Sequence, residues 1–240
     1  MIINANNEKG QPLDFDLEKL AKHWVEFYKA HGLDMLAQHI PSSFNLPEDK
    51  VEHIQEKAKQ GYNHLIFFPS ASTQDANLGQ IKMTMEKPLA GIATREQYIA
   101  DGSFLWTEVA DSFPNRIYTK NRNFNKPYIM MVKDLGEVPM YTLGMTPAEA
   151  REANVKNNEQ SFTLSEYFIF QRDYTIRHIN DSKPHPDTDF YAWLLDSEVP
   201  SGNVLKGHWH NVYKQLRINA NTLSDKSDFR GFRPSIIIEL

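Results

Sequence analysis

The hydrophobic pattern changes period at Gly61, and that change limits the folds open to this chain. Ahead of it, apolar residues recur at helical spacing; after it comes His64-Leu65-Ile66-Phe67-Phe68, a run closed by Pro69. Such a run, with no polar alternation, is expected as a strand buried on both faces, because a half-exposed strand alternates. Helix, glycine and buried strand make a compact α-to-β unit, so the N-terminal helices are expected to pack on a sheet. Tyr128-Ile129-Met130-Met131-Val132 and the β-branched run Ile236-Ile237-Ile238 supply two more strands.

The remaining elements follow from spacing and caps. Leu17, Leu20, Trp24, Phe27 and Tyr28 predict a helix from residue 13, capped by Asp14 or Asp16. Gly32 interrupts it, Met35, Leu36 and Ile40 resume it, and Pro41 ends it. A second helix is expected over 47–60, with Pro47 in its first turn, Glu48 and Asp49 at the positive end of its dipole and Gly61 as its stop. Between 70 and 127 the pattern gives a strand at 81–85, a short helix at 94–100, an ambiguous stretch at 103–109 and a basic, turn-rich segment at 115–126. Residues 139–143 are expected to form a hairpin with 128–132. Thr146-Pro147-Ala148-Glu149 and Thr163-Leu164-Ser165-Glu166 are two capping boxes that open helices, the second with a wide apolar face suited to a central buried helix. Phe190–Leu195, carrying Trp193, is expected as a strand. The fold class is therefore α+β, with a helical segment over 1–62 packed on a domain over 63–240.

Composition narrows the chemistry. The 240 residues contain no cysteine, which excludes disulfides, thiolate metal sites and cysteine nucleophiles together. A net charge of −5 gives no global drive toward nucleic acid or an anionic membrane. No basic-then-apolar leader opens the chain and no apolar run is long enough to span a bilayer, so a cytoplasmic protein is expected. Nucleotide-binding glycine loops and a nucleophile elbow are absent, and no cofactor is expected.

His23, His31 and His39 fall eight residues apart, which on a helix separates neighbours by about 12 Å, so they do not share an ion. His208 and His210 would point to one face of a strand, where Asp196 or Glu198 could complete a metal site; this makes a metal-dependent enzyme one alternative. Asp225 and Asp228, with Asn219, Asn221, Thr222 and Ser224, offer oxygen ligands but lack the order of a calcium loop. Arg230 and Arg233 bracket Gly231-Phe232, where a structural role beside a core strand is expected. The tail from Val204 to Leu240 places a long polar run between two apolar anchors, the arrangement of a recognition loop on a rigid scaffold.

Val204-Leu205-Lys206-Gly207-His208-Trp209, then Leu216-Arg217, then Gly231-Phe232-Arg233 resemble the C-terminal signature of the formylglycine-generating, sulfatase-modifying type of C-type lectin fold. Lys206 stands where that signature has arginine, one of its paired glycines is missing, and His208 replaces its serine; residues 1–160 are not covered. The resemblance implies a mixed domain with a twisted antiparallel sheet and long loops. It does not carry over the oxidase activity, which relies on cysteines. What it implies is the non-enzymatic branch, including the variable proteins of diversity-generating retroelements, which display altered residues on this tail. Trp209, His210, Asn211, Tyr213, Asn219, Asn221 and Asp228 are then the expected ligand-binding residues, for a protein or small-ligand partner. An accessory or structural protein of a phage or mobile element is a further alternative.

Overall fold

In the computed structural model, which describes residues 1–42, 44–69, 118–119, 122, 126–133, 136–212 and 215–240, the first helix begins at Leu17 and not at residue 13. In chain order the elements are β1 (Ile2–Asn6), β2 (Pro12–Asp16), α1 (Leu17–Ala30), α2 (Asp34–Ala37), α3 (Glu48–Lys59), β3 (Tyr62–Phe68), β4 (Tyr118–Thr119) and β5 (Tyr128–Lys133). A single 3-10 turn (Met140–Thr142) follows, then α4 (Pro147–Asn157), α5 (Leu164–Arg177), β6 (Tyr191–Glu198), β7 (Val204–His210), β8 (Gln215–Asn221), β9 (Arg230–Phe232) and β10 (Ser235–Glu239). The expected elements at 81–85, 94–100 and 103–109, and most of the basic segment 115–126, lie outside the described residues. The protein is α+β, and it divides into two units, residues 1–74, 123–134 and 235–240 in one and 75–122 and 135–234 in the other.

In the first unit, residues 12–16 are unavailable to a helix because they pair with 2–6, Ile3 opposite Phe15. Asp16 then caps α1, its carboxylate accepting from the backbone N–H groups of Glu18 and Lys19 at 3.1 Å. α1 buries Trp24, Phe27 and Tyr28, and the Tyr28 hydroxyl donates to the Phe67 carbonyl of β3 at 2.9 Å. Gly32, at φ +69°, breaks the expected continuous helix and leaves only the short α2 beyond it. Pro47 sits at the N-cap of α3, one position earlier than expected, and Gly61 at φ +89° turns the chain into β3.

The sheet of this unit has the order β10-β5-β3, all antiparallel, with Ile66 and Ile237 both opposite Met130. The hairpin expected between 128–132 and 139–143 does not form. β5 is flanked by strands from residues 62–68 and 235–239, and residues 140–142 coil into the 3-10 turn. β5 is buried from Tyr128 to Val132, which accounts for its unbroken apolar run.

In the second unit both capping boxes form with the expected reciprocal bonds, Thr146 with Glu149 and Thr163 with Glu166. α5 is buried from Leu164 through Thr175 and is the central helix of the unit. Its sheet has the order β4-β6-β7-β8, antiparallel along that path, with β9 joining β6 in parallel. The long polar excursion expected in the tail is shorter than the sequence implies, because β7 and β8 are a hairpin paired from Val204–Asn221 to His210–Gln215. Only residues 222–229 remain as the polar connection to β9. Gly207 is required where α5 crosses β7: a Cβ there would drive into the Tyr167 ring, and Ile218 Cδ1 would lie 3.0 Å away. Gly231 is held as closely by the 3-10 turn, with Thr142 Oγ1 2.5 Å from the place of a Cβ.

Candidate functional site

Pairing β7 with β8 sorts the tail by alternation. Leu205, Gly207, Trp209, Leu216, Ile218 and Ala220 are buried and share one face of the hairpin; Tyr167 of α5 lies against Gly207 there. Lys206, His208, His210, Arg217, Asn219 and Asn221 share the other, with Lys206 opposite Asn219 and His208 opposite Arg217. β6 extends this second face with Trp193 opposite Lys206. At its lower end Trp193, Leu195, Val204 and Phe232 pack with Ala150 of α4 into an apolar cluster.

Above that cluster the face is polar and cationic. Lys206 Nζ lies 4.9 Å from the centroid of the Tyr191 ring and 5.7 Å from that of Trp193. Arg230 Cζ lies 5.5 Å from the Trp193 ring, and its guanidinium is paired with Asp225. The His208 ring is 3.8 Å from the Tyr191 ring and 5.6 Å from the His210 ring. Lys206 and His208 are buried, at 4% and 6% exposure, while Tyr191, His210, Arg217, Asn219, Asn221 and Arg230 around them are half-buried. The site thus has a floor of two buried bases and a partly accessible rim.

The electrostatics follow from that placement. Burial pulls the Lys206 ammonium down to about 8, with Arg230 pushing the same way and Asp225 opposing. Burial, then the charges of His210, Arg217 and Lys206, bring His208 down to about 3, so it is a neutral imidazole at pH 7. His210 is lowered as well, by burial and by Arg217. The buried His208 Nδ1 has no hydrogen-bond partner, and no carboxylate lies within ion-pair distance of Lys206 among the described residues. Buried polar groups are ordinarily satisfied, so the unpartnered His208 Nδ1 beside a buried ammonium sets this face apart from the packed one behind it.

The expected binding residues therefore separate. His210, Asn219 and Asn221 lie together on the cationic face. Trp209 is on the opposite face, 1% exposed, its ring stacked 3.6 Å from that of His185. Asn211 is exposed at the hairpin turn and borders, with Trp209, His185 and Lys183, a separate cleft. Asp228 is exposed in the connection to β9, and Tyr213 lies outside the described residues. Lys206, Arg217 and Tyr191 were not among the expected residues. The signal that finds Lys206 and Arg217 is the period-two pattern, Lys-x-His-x-His on one strand and Arg-x-Asn-x-Asn on the next, whereas Tyr191 arrives from β6 with no such signal.

His208 and His210 do share a face, but among the described residues a third metal ligand is not beside them. Asp196 is bonded to Arg122 at 3.0 Å and Glu198 to Arg151 at 2.6 Å. Among the described residues no group of three or more His, Asp or Glu side chains is placed to hold a metal ion.

Two other polar clusters of this unit are internal. Arg233 and Asp187 form an ion pair at 2.6 Å, both at 0% exposure, and the Tyr167 hydroxyl donates to the same carboxylate at 3.0 Å. Burial raises the Asp187 carboxyl to about 6, with Arg233 drawing it back down. Arg122 meets Glu166 at 2.6 Å, which ties the start of α5 to a distant segment. No helix of the described residues is long and apolar enough to cross a membrane. Comparison with protein-family models, with curated proteins and with solved structures finds no match.

Proposed function

We propose that this protein is a binding module that recognises a ligand or partner through the polar face of β7 and β8, with His210, Asn219 and Asn221 on that surface. One observation carries the reading: on this face two buried bases lie side by side, His208 with an unpartnered Nδ1 and Lys206 with no ion pair among the described residues, while the opposite face of the same hairpin is packed. Groups desolvated at a cost and left unsatisfied by the fold are suited to satisfaction by something that binds. The alternating geometry keeps the recognition residues off the core, so they can change without repacking it. The metal-enzyme alternative gains no support here, since Arg217 faces His208 where a carboxylate would be needed.

The C-type-lectin-like reading is retained as part of this proposal. It is supported by the way the two matching segments, Gly207–Trp209 and Gly231-Phe232-Arg233, flank one strand, β7 antiparallel and β9 parallel to β6. On that reading the module is a variable protein of a diversity-generating retroelement, and a near-identical template repeat beside a reverse-transcriptase gene is the observation that tests it. The binding face is tested by nuclear magnetic resonance on the labelled full chain, titrated with a panel of sugars, amino acids, nucleotides and oxyanions. Ligand-dependent shifts are expected at the amides of residues 206–210 and 216–221. Ligands that move only amides elsewhere would overturn the assignment.

A further inference from the structure

The chemistry of the face narrows what it can take. Lys206 supplies a buried positive charge set against the Tyr191 and Trp193 rings, with Arg230 lowering its pKa and Asp225 opposing. The carboxylate at this face, Asp225, is engaged by Arg230. Arg217, opposite His208, and Arg230, over the Trp193 ring, add to the positive potential, and Asn219 lies directly across from Lys206. His208 is neutral at pH 7, so its unpartnered buried Nδ1 is available as a single uncharged donor when it carries the proton.

A cation as ligand is disfavoured by every charge on the floor, and an uncharged sugar would leave the ammonium unneutralised. Carboxylate is the weaker anion here: one charge and two oxygens cannot answer donors arriving from β7 and β8 together. A tetrahedral oxyanion of two negative charges presents more acceptors around one centre and neutralises a buried ammonium more completely.

Resting on the binding-face reading above, we propose that Lys206 and His208, with Arg217 and Asn219 beside them, form a site for a phosphoryl group, either inorganic phosphate or the phosphate of a phosphomonoester. Lys206 supplies the charge, His208 and Asn219 supply neutral donors, and Tyr191 walls the site so that the interaction runs in reduced dielectric.

Calorimetry of the full chain at low salt and pH 7, with inorganic phosphate and separately with glycerol phosphate, tests this. Saturable binding is expected, with the shifts of residues 206–208 and 217–219 moving in parallel. Tighter binding of glycerol phosphate identifies a larger phosphorylated ligand as the source; equal binding identifies phosphate itself. Lys206→Met should weaken either ligand by about tenfold to a hundredfold, the weight of one charge-assisted contact. Asn219→Asp guards against trivial unfolding: it places a carboxylate across from Lys206, so it should preserve the melting temperature while weakening phosphate comparably. Absence of saturable phosphate binding, or binding that neither variant alters, would overturn the site. If that happens while other panel ligands still move the Asn219 and Asn221 amides, only the phosphoryl assignment falls and the binding face stands.

Discussion

Lys206→Met should make the unliganded protein more stable at pH 7, which is the reverse of what removing a buried side chain ordinarily does. Lys206 is 4% exposed, its pKa falls to about 8 from 10.5, and burial is the largest cause. A displacement of that size corresponds to about 3 kcal/mol of cost in holding the charge inside the fold, as a ceiling. Methionine keeps the aliphatic contacts with Tyr191 and Trp193 but loses the cation–π attraction, worth about 1 kcal/mol. The net expectation is a gain of about 1–2 kcal/mol.

The pH dependence has a definite sign. Below about 8 the folded and unfolded chains both carry the proton and the cost is full. Between 8 and 10.5 the unfolded chain holds a proton that the folded one has released, so wild-type stability from this group rises with pH. The groups facing Lys206, namely Arg230, Asp225, His208, Arg217 and Tyr191, are common to both proteins, so the difference between them isolates the lysine. Urea unfolding at pH 7 and pH 10 with unchanged m-value is the assay: the variant's advantage should be present at pH 7 and largely gone at pH 10. A variant destabilised at pH 7 by more than about 1 kcal/mol, with no pH dependence in the difference, would refute the reasoning, because it would mean that the ammonium is satisfied inside the fold.

Asp187→Asn should destabilise by about 3–5 kcal/mol in equilibrium denaturation, since it leaves the Arg233 guanidinium buried without its counter-charge. Asparagine tolerates the φ of +53° at that position, so the loss reports on charge and not on backbone. Gly207→Ala should cost about 1–3 kcal/mol by pushing Tyr167 of α5 off β7, read as a lower denaturation midpoint with loss of near-ultraviolet dichroism. Thr146→Ala should cost about 1 kcal/mol through loss of the α4 cap, while Thr146→Ser should restore most of it.

What was legible in the sequence was what neighbours determine. The two capping boxes at Thr146 and Thr163, the stop at Gly61 and the strands around 64–68 and 128–132 all follow from residues a few positions apart, and all are present. What failed depended on distant partners. Nothing near Tyr128 shows that its strand will pair with residues 62–68 and 235–239, and so the adjacent 139–143 looked like a hairpin arm. Asp14 looked like a cap because its pairing with Asn4 is invisible from the local pattern. Trp209 is a binding candidate only by the resemblance, and the ring that covers it, His185, arrives from a loop about two dozen residues upstream.

The hairpin itself is the instructive failure. The polar average of residues 215–221, where Gln, Arg and Asn dominate, reads as loop, yet Leu216, Ile218 and Ala220 alternate with those polar residues at period two. In a strand with one buried face, composition is set half by the core and half by whatever lies opposite. A polar average there says only that the second half is not core. That second half, Arg217, Asn219 and Asn221 beside Lys206, His208 and His210, lies on the face away from the contact that fixes Gly207 against Tyr167. A strand so divided can hold its register with three apolar side chains and change its ligand with the other three. A buried lysine on such a face is then costly to the fold in every state except the bound one, which is why its stability and its affinity for phosphate should move in opposite directions when it is removed.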